Sequence, residues 1–177
     1  MKNNFFIILA ILLLSFFSLA QAGKAPSHLV PINAPECKGT LDIRIHPPEN
    51  ELHPSGHLLL VDPQGRKSGK DLRANKLYTE IPYSSYESEN IDDAETGAAG
   101  PETRILYIGK LPDGEYTLYV IGTKSSTYDM EIRGYDCEMN HSHMDFLDIG
   151  ITKDEAHTYK IKYSNKQERK IAVIRSQ

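Results

Sequence analysis

The sequence predicts an all-β protein, an antiparallel β-sandwich of about eight or nine strands. Apolar and polar residues alternate in short segments that recur roughly every 10 to 20 residues. A period of two is typical of strands with one buried face. Segments rich in Gly, Pro, Asn and Asp separate them, and after residue 22 no window keeps a helical period for a dozen residues. Such a pattern favours two packed antiparallel sheets.

Residues 1–22 have the pattern of a signal peptide. Lys2 supplies a positive charge, residues 5–17 are almost entirely apolar, and a small-x-small tripeptide ends at Ala22, where we expect cleavage. We therefore expect export, either to the periplasm or out of the cell. An apolar run of about 13 residues is shorter than the ~20 needed to span a bilayer, so we expect no stable membrane anchor.

The remaining 155 residues suit one domain. Residues 23–36 contain three prolines and predict an extended N-terminal segment, and residues 37–177 predict the sandwich. Acidic residues outnumber Lys and Arg by 24 to 20, without basic clusters. This balance disfavours nucleic acid as a partner, because phosphate binding is driven by clustered cations.

Cys37 and Cys137 are the only two cysteines. Because thiols that meet in an oxidising compartment normally pair, we expect a disulfide between them. Two free thiols, or a thiolate metal site, remain the alternative, since the bridge requires the fold to bring them together.

Nine segments carry the strand pattern. The second is a continuous apolar run that predicts a strand buried on both faces, and Asp62-Pro63-Gln64-Gly65 after it predicts a β-turn. The fourth to sixth segments, separated by short turns, predict a β-meander. The nine are residues 40–45, 57–62, 76–81, 104–108, 115–121, 127–136, 146–151, 157–163 and 170–175.

Two motifs resemble exported bacterial β-sandwich modules. The stretch LPDGEYTLYV at residues 111–120, with YDMEI at 128–132, is similar to a hairpin of immunoglobulin-like and pre-peptidase C-terminal domains. LVDPQGR at residues 60–66 resembles a turn of the same group. The resemblance implies a fold, with a tyrosine hydroxyl bonding backbone at a corner, and it implies no catalytic residue.

Residues 82–102 show no strand or helix pattern and predict a long acidic loop. Long loops on a rigid scaffold often bind partners, so this loop is the first candidate surface for a protein or glycan. Its carboxylates also suit calcium, although the spacing of a twelve-residue calcium loop is missing, and a solvated loop is the plainer interpretation. The candidate residues are Glu87, Glu89, Asp92, Asp93 and Glu95.

A second candidate site is a copper site between residues 137 and 145. His141 and His143 share one side of an extended chain, and Met139 and Met144 are close enough in sequence to join them. A polar loop with solvent-facing histidines is the structural alternative. His53 and His57 have the spacing of a helical zinc pair, but the Pro and Gly between them argue against a helix.

The sequence contains no nucleophile motif and no phosphate-binding glycine loop. We therefore expect a non-catalytic, exported binding or accessory protein that recognises a protein or glycan through its loops, without a cofactor. A copper-binding protein is the alternative, and a hydrolase with dispersed carboxylates is a third class.

Overall fold

The computed structural model describes residues 38–90, 92, 95–166 and 170–176. Internal contacts divide the chain into Met1–Pro35 and Glu36–Gln177, and every described residue belongs to the second unit. The predicted signal peptide, the segment 23–36 and Cys37 lie outside the described residues.

The described residues form eleven strands joined by turns and irregular segments. Among them no helix is long and apolar enough to cross a membrane. The strands are β1 (Gly39–His46), β2 (Gly56–Val61), β3 (Lys67–Asp71), β4 (Lys76–Thr79), β5 (Ser84–Asn90), β6 (Glu102–Leu111), β7 (Gly114–Gly122), β8 (Ser126–Tyr135), β9 (His141–Ile151), β10 (Ala156–Tyr163) and β11 (Ile171–Ser176).

The strands build two antiparallel sheets, which confirms the predicted sandwich. Sheet A has the order β5-β6-β1-β8-β9, and sheet B has the order β11-β10-β7-β2-β3-β4. One face of each sheet enters a shared core, because alternate residues of a strand point to opposite faces. Fully buried examples are Ile43 on β1, Leu118 on β7 and Tyr159 on β10.

Two segments without an apolar alternation are additional strands, and a third lengthens a predicted strand, so the predicted strand number was too low. Residues 67–71 form β3, residues 84–90 of the predicted acidic loop form β5, and β9 begins at His141 instead of residue 146. Ser68 and Ser84 point inward and hydrogen-bond each other through their hydroxyl oxygens at 2.8 Å. A strand near a sheet edge can thus use polar inward residues, which hides it from a hydrophobic pattern.

The predicted β-meander is wrong. β6 and β8 both pair with β1 in sheet A, whereas β7 pairs with β2 and β10 in sheet B. The short connections after β6 and β7 therefore cross between the sheets. Tyr116 stabilises the first crossing, since its hydroxyl donates to the Pro112 carbonyl at 2.7 Å.

Candidate functional site

The acidic candidate residues do not form a single loop. Glu87 and Glu89 are exposed residues of edge strand β5, alternating with Tyr86, which packs against the core. Asp92 and Glu95 lie beyond the strand and are exposed, and Asp93 lies outside the described residues. The long irregular segment is thus shorter than predicted, and two of its five acids belong to the sheet.

The histidine and methionine candidates are only partly brought together. His141 and His143 lie on the exposed side of β9, with ring centroids 6.1 Å apart. Met144 points the other way and packs against the core. Met139 lies exposed in the preceding turn, at a positive φ of 65°. The thioether of Met144 therefore cannot join the two imidazoles, because neighbouring strand residues face opposite sides.

Among the residues that the structure describes, no three side chains of His, Cys, Asp or Glu are close enough to hold a metal ion as they stand. His53 and His57 are separated as well. His53 bonds Glu102 Oε2 through Nδ1 at 2.8 Å, and His57 bonds the Tyr86 hydroxyl at 2.8 Å.

The described residues contain no disulfide that would test the predicted bridge between Cys37 and Cys137. Cys137 is a free, exposed cysteine and Cys37 lies outside the described part, so their pairing stays a prediction.

The turn that carries Cys137 is held by hydrogen bonds and an ion pair of Asp136. Asp136 Oδ1 accepts hydrogen bonds from the backbone N–H groups of Glu138 and Asn140, and Asp136 Oδ2 lies 2.8 Å from Lys170 Nζ. The Lys170 ammonium lowers the pKa of Asp136 to about 2.

Two buried polar clusters connect the sheets. In the first, the Tyr128 hydroxyl of sheet A lies 2.9 Å from His157 Nδ1 and 2.7 Å from the Tyr159 hydroxyl of sheet B. His157 Nε2 lies 3.0 Å from Glu155 Oε1 at the surface. Burial, together with the bond to Tyr159, raises the pKa of Tyr128. Each of these polar groups has a hydrogen-bond partner within the cluster, which fits a structural role.

The second cluster lies where β2 meets β5 and β6. Burial and the nearby Arg104 lower the pKa of His57 to about 4, and burial raises the pKa of Tyr86 to about 12. Burial also raises the pKa of Glu102, but hydrogen bonds from Arg104, Ser88 and His53 outweigh this effect and lower it to about 2. Arg104 is held further by the Gly56 carbonyl at 2.7 Å. Each charged group here has a partner within the cluster.

A groove lies on the outer face of sheet B, and the sequence analysis did not predict it. Its volume is about 380 Å³. The core takes Leu58 and Leu60 of β2, so Leu59 points to the opposite face, next to its β7 partner Tyr119. The lining residues are Leu59, Val61, Lys67, Asp71, Arg73, Tyr119, Ile121 and Ala156.

The groove has an apolar floor and a cationic rim. Leu59 and Ile121 are buried, and Tyr119 beside them is half-buried. Lys67 Nζ lies 5.1 Å from the centre of the Tyr78 ring and forms no ion pair with a described residue. The exposed Arg73 guanidinium has no described partner either.

The neighbouring acid, Asp71, forms no ion pair with these two cations. Asp71 Oδ1 accepts hydrogen bonds from the backbone N–H groups of Arg73 and Ala74, at 3.0 and 3.2 Å. Lys76, next to the groove on β4, places its Nζ 4.4 Å from the Tyr78 ring centre. A cation over an aromatic face keeps its positive charge. By contrast, sheet A pairs Arg44 with Asp42 at 3.0 Å, and Arg133 with Glu131, on its outer face.

One signal in the sequence could have indicated the groove. In β2 and β7, apolar residues occupy odd and even positions alike, which predicts burial on both faces of each strand. In β2 the first face, with Leu58 and Leu60, enters the core, and the second face, with Leu59 and Val61, lines the groove. Lys67 and Arg73 come from β3 and the turn after it, and nothing in their local sequence points to β7.

The fold and this groove define the class of protein: an all-β sandwich with a concave site on a sheet face. Comparisons with protein-family models, with curated proteins and with solved structures each found no match.

Proposed function

We propose that this chain is an exported, non-catalytic binding protein, and that the groove on the outer face of sheet B binds an acidic glycan. The observation that carries the proposal is the combination of an apolar, tyrosine-lined floor with Lys67 and Arg73 at its rim, neither of which forms an ion pair with a described residue. Export rests on the leader at residues 1–22.

The size of the groove favours a glycan over a folded protein partner. Stable protein interfaces bury about 1,200–2,000 Å² and use wide surfaces. A groove of about 380 Å³ instead suits a short stretch of an extended chain. A sugar ring has an apolar face that can pack on Tyr119, and its hydroxyls can reach the rim.

The charge of the rim favours carboxylates on that glycan. Lys67 and Arg73 supply two cations that form no ion pair with an acid of the described residues. An Arg guanidinium matches a carboxylate with two parallel hydrogen bonds. A uronic-acid polymer offers both features, an apolar ring face and one carboxylate per residue.

The sandwich and the corner formed by Tyr116 and Pro112 support the likeness to immunoglobulin-like and pre-peptidase C-terminal modules. In immunoglobulin-type folds a corner tyrosine bonds backbone a few residues upstream, as here. We include this finer kinship in the proposal.

The test compares an oligomer of galacturonic acid with its neutral methyl ester, by isothermal titration calorimetry on the purified protein. We expect binding of the acidic oligomer and at least fivefold weaker binding of the ester. Arg73→Ala should weaken binding about fivefold, since an exposed ion pair contributes up to about 1 kcal/mol. Lys153→Ala, an exposed lysine in the turn after β9, is the matched control and should leave binding unchanged.

Equal binding of acid and ester, or an unchanged affinity in Arg73→Ala, would contradict the acidic-glycan proposal. Binding of an acidic peptide in place of the uronate would assign the groove to a protein partner. Tyr119→Ala separates the floor from the rim: it should weaken binding of both oligomers while circular dichroism shows the fold retained.

A further inference from the structure

Three polar residues form a row on the exposed side of edge strand β9. His141, His143 and Asp145 occupy alternate positions, and each is exposed. The side chains of His143 and Asp145 are 57% and 52% accessible, so both are able to rotate without disturbing the core. The inward positions between them are Ser142 and Met144.

We propose that His141 and His143 chelate one divalent transition-metal ion, with Asp145 as a third ligand. This site is separate from the groove on sheet B. It keeps the two histidines of the predicted copper site and replaces the methionine ligands by a carboxylate. The replacement follows from the strand geometry, because Met144 packs against the core and Asp145 shares the side of the histidines.

The separation of the two imidazoles is within about 1 Å of what one shared tetrahedral ion requires, since rings about 3.2 Å from such an ion have centres about 5.2 Å apart. The ring centroids are 6.1 Å apart. A metal–nitrogen bond of about 2.0–2.1 Å puts each ring centre about 3.2 Å from the ion, so two rings on one ion have centres at most about 6.4 Å apart. Small rotations of exposed side chains therefore suffice to bring both nitrogens to a common centre.

Asp145 is within reach of the same ion. Its Oδ2 lies 4.0 Å from His143 Nε2. Two ligands of one tetrahedral ion are about 3.3 Å apart when each bond is about 2.0 Å, so the carboxylate has to move by less than about 1 Å. The site is thus formed by side-chain rotation on a rigid strand, which explains why three ligand groups are not in place beforehand.

The surrounding charges do not oppose a cation. Arg133 is the β8 partner of His143, but its guanidinium is bound to Glu131. Glu131 is in turn the β8 partner of Asp145, and Tyr135 is the partner of His141, with ring centroids 5.6 Å apart. Two imidazoles and a carboxylate without sulfur favour Cu²⁺, Ni²⁺ or Zn²⁺, with Cu²⁺ bound most tightly.

The experiment is a titration of untagged protein with CuCl₂, and then with ZnCl₂, followed by calorimetry and by electron paramagnetic resonance of the copper complex. We expect one Cu²⁺ per chain, micromolar affinity, weaker Zn²⁺ binding, and nitrogen hyperfine structure from two imidazoles. His141→Ala and His143→Ala should each weaken copper binding at least tenfold, and Asp145→Asn two- to fivefold.

Two control sets make the outcome decisive. His53→Ala removes another exposed histidine. Met139→Leu together with Met144→Leu removes the two thioethers of the copper site predicted from the sequence. Neither change should alter the affinity for copper. Absence of saturable binding, indifference to both histidine variants, or loss of binding in the methionine variants would overturn the proposal. Arg73→Ala should leave copper binding intact, so failure of this site and failure of the groove are distinguishable.

Discussion

Replacing Tyr128 by Phe tests whether the buried cluster of Tyr128, His157 and Tyr159 holds the two sheets together. The side chain is completely buried, and its hydroxyl has partners at 2.9 and 2.7 Å. His157 lies between the Tyr128 hydroxyl and Glu155, and the Tyr128 oxygen also shares a hydrogen bond with the Tyr159 hydroxyl. Phe keeps the ring packing and removes only the oxygen.

The variant leaves two buried polar groups without their partner. Each such loss costs about 1–1.5 kcal/mol, so the free energy of unfolding should fall by about 2–3 kcal/mol. A domain of this size has a urea m-value of about 2 kcal/mol/M, and the unfolding midpoint should therefore drop by about 1–1.5 M. Urea unfolding followed by circular dichroism at pH 7 measures both quantities.

The control is Tyr107→Phe, at a tyrosine that is 41% exposed. Its effect should stay within about 0.5 kcal/mol. A loss below about 0.5 kcal/mol in Tyr128→Phe, with an unchanged m-value, would show that the remaining two groups satisfy each other and would refute this reasoning. A large change in m would instead indicate an altered denatured or native state.

Three further predictions concern stability and covalent state. Gly39→Ala should destabilise by at least about 2 kcal/mol in urea, because its Cβ would lie 1.8 Å from a tyrosine oxygen, whereas Gly150→Ala, with no atom within 4 Å, should be within about 0.5 kcal/mol. The pKa of His57 is about 4 in the fold against 6.5. As the pH falls, the unfolded chain therefore takes up this proton at a higher pH than the folded chain does. The free energy of unfolding should be highest above pH 6.5 and fall as the pH approaches 4, which urea midpoints at several pH values measure. His57→Gln should flatten this decline. Intact mass of exported protein should show a chain starting after residue 22 with Cys37 and Cys137 joined, about 2 Da lighter than after reduction; two alkylatable thiols would reject the bridge.

The register of sheet A supports the predicted disulfide between Cys37 and Cys137. Thr40 of β1 pairs with Tyr135 of β8. This pairing places the N-terminal end of β1 beside the C-terminal end of β8, which leads into the turn that carries Cys137. Asp136 and Lys170 fix that turn.

The strand assignments depended on visible alternation. β1, with Leu41, Ile43 and Ile45 inward, was readable because one face is apolar and the other is charged. β3 and β5 were not, because their inward positions include small polar residues such as Ser68 and Ser84. For the same reason, residues 84–90 were predicted to be part of an acidic loop, whereas they form the edge strand β5.

The candidate sites were predictable only in part. His141 and His143 were found because a strand places alternate residues on one side, and that rule needs no tertiary information. The groove could not be found, because Leu59, Lys67 and Tyr119 come from three strands whose adjacency appears only in the register of sheet B.

The amino-acid sequence alone determined that the protein is an all-β sandwich, because this feature follows from the local order of apolar and polar residues; the signal peptide at residues 1–22 stays a prediction. The tertiary structure decided which sheet each strand joins, that β7 belongs to sheet B although its chain neighbours β6 and β8 belong to sheet A, and which cations border the groove. The physical reason is that a period of two specifies which residues share a face of a strand, while strand adjacency depends on hydrogen bonds and packing between segments far apart in the chain.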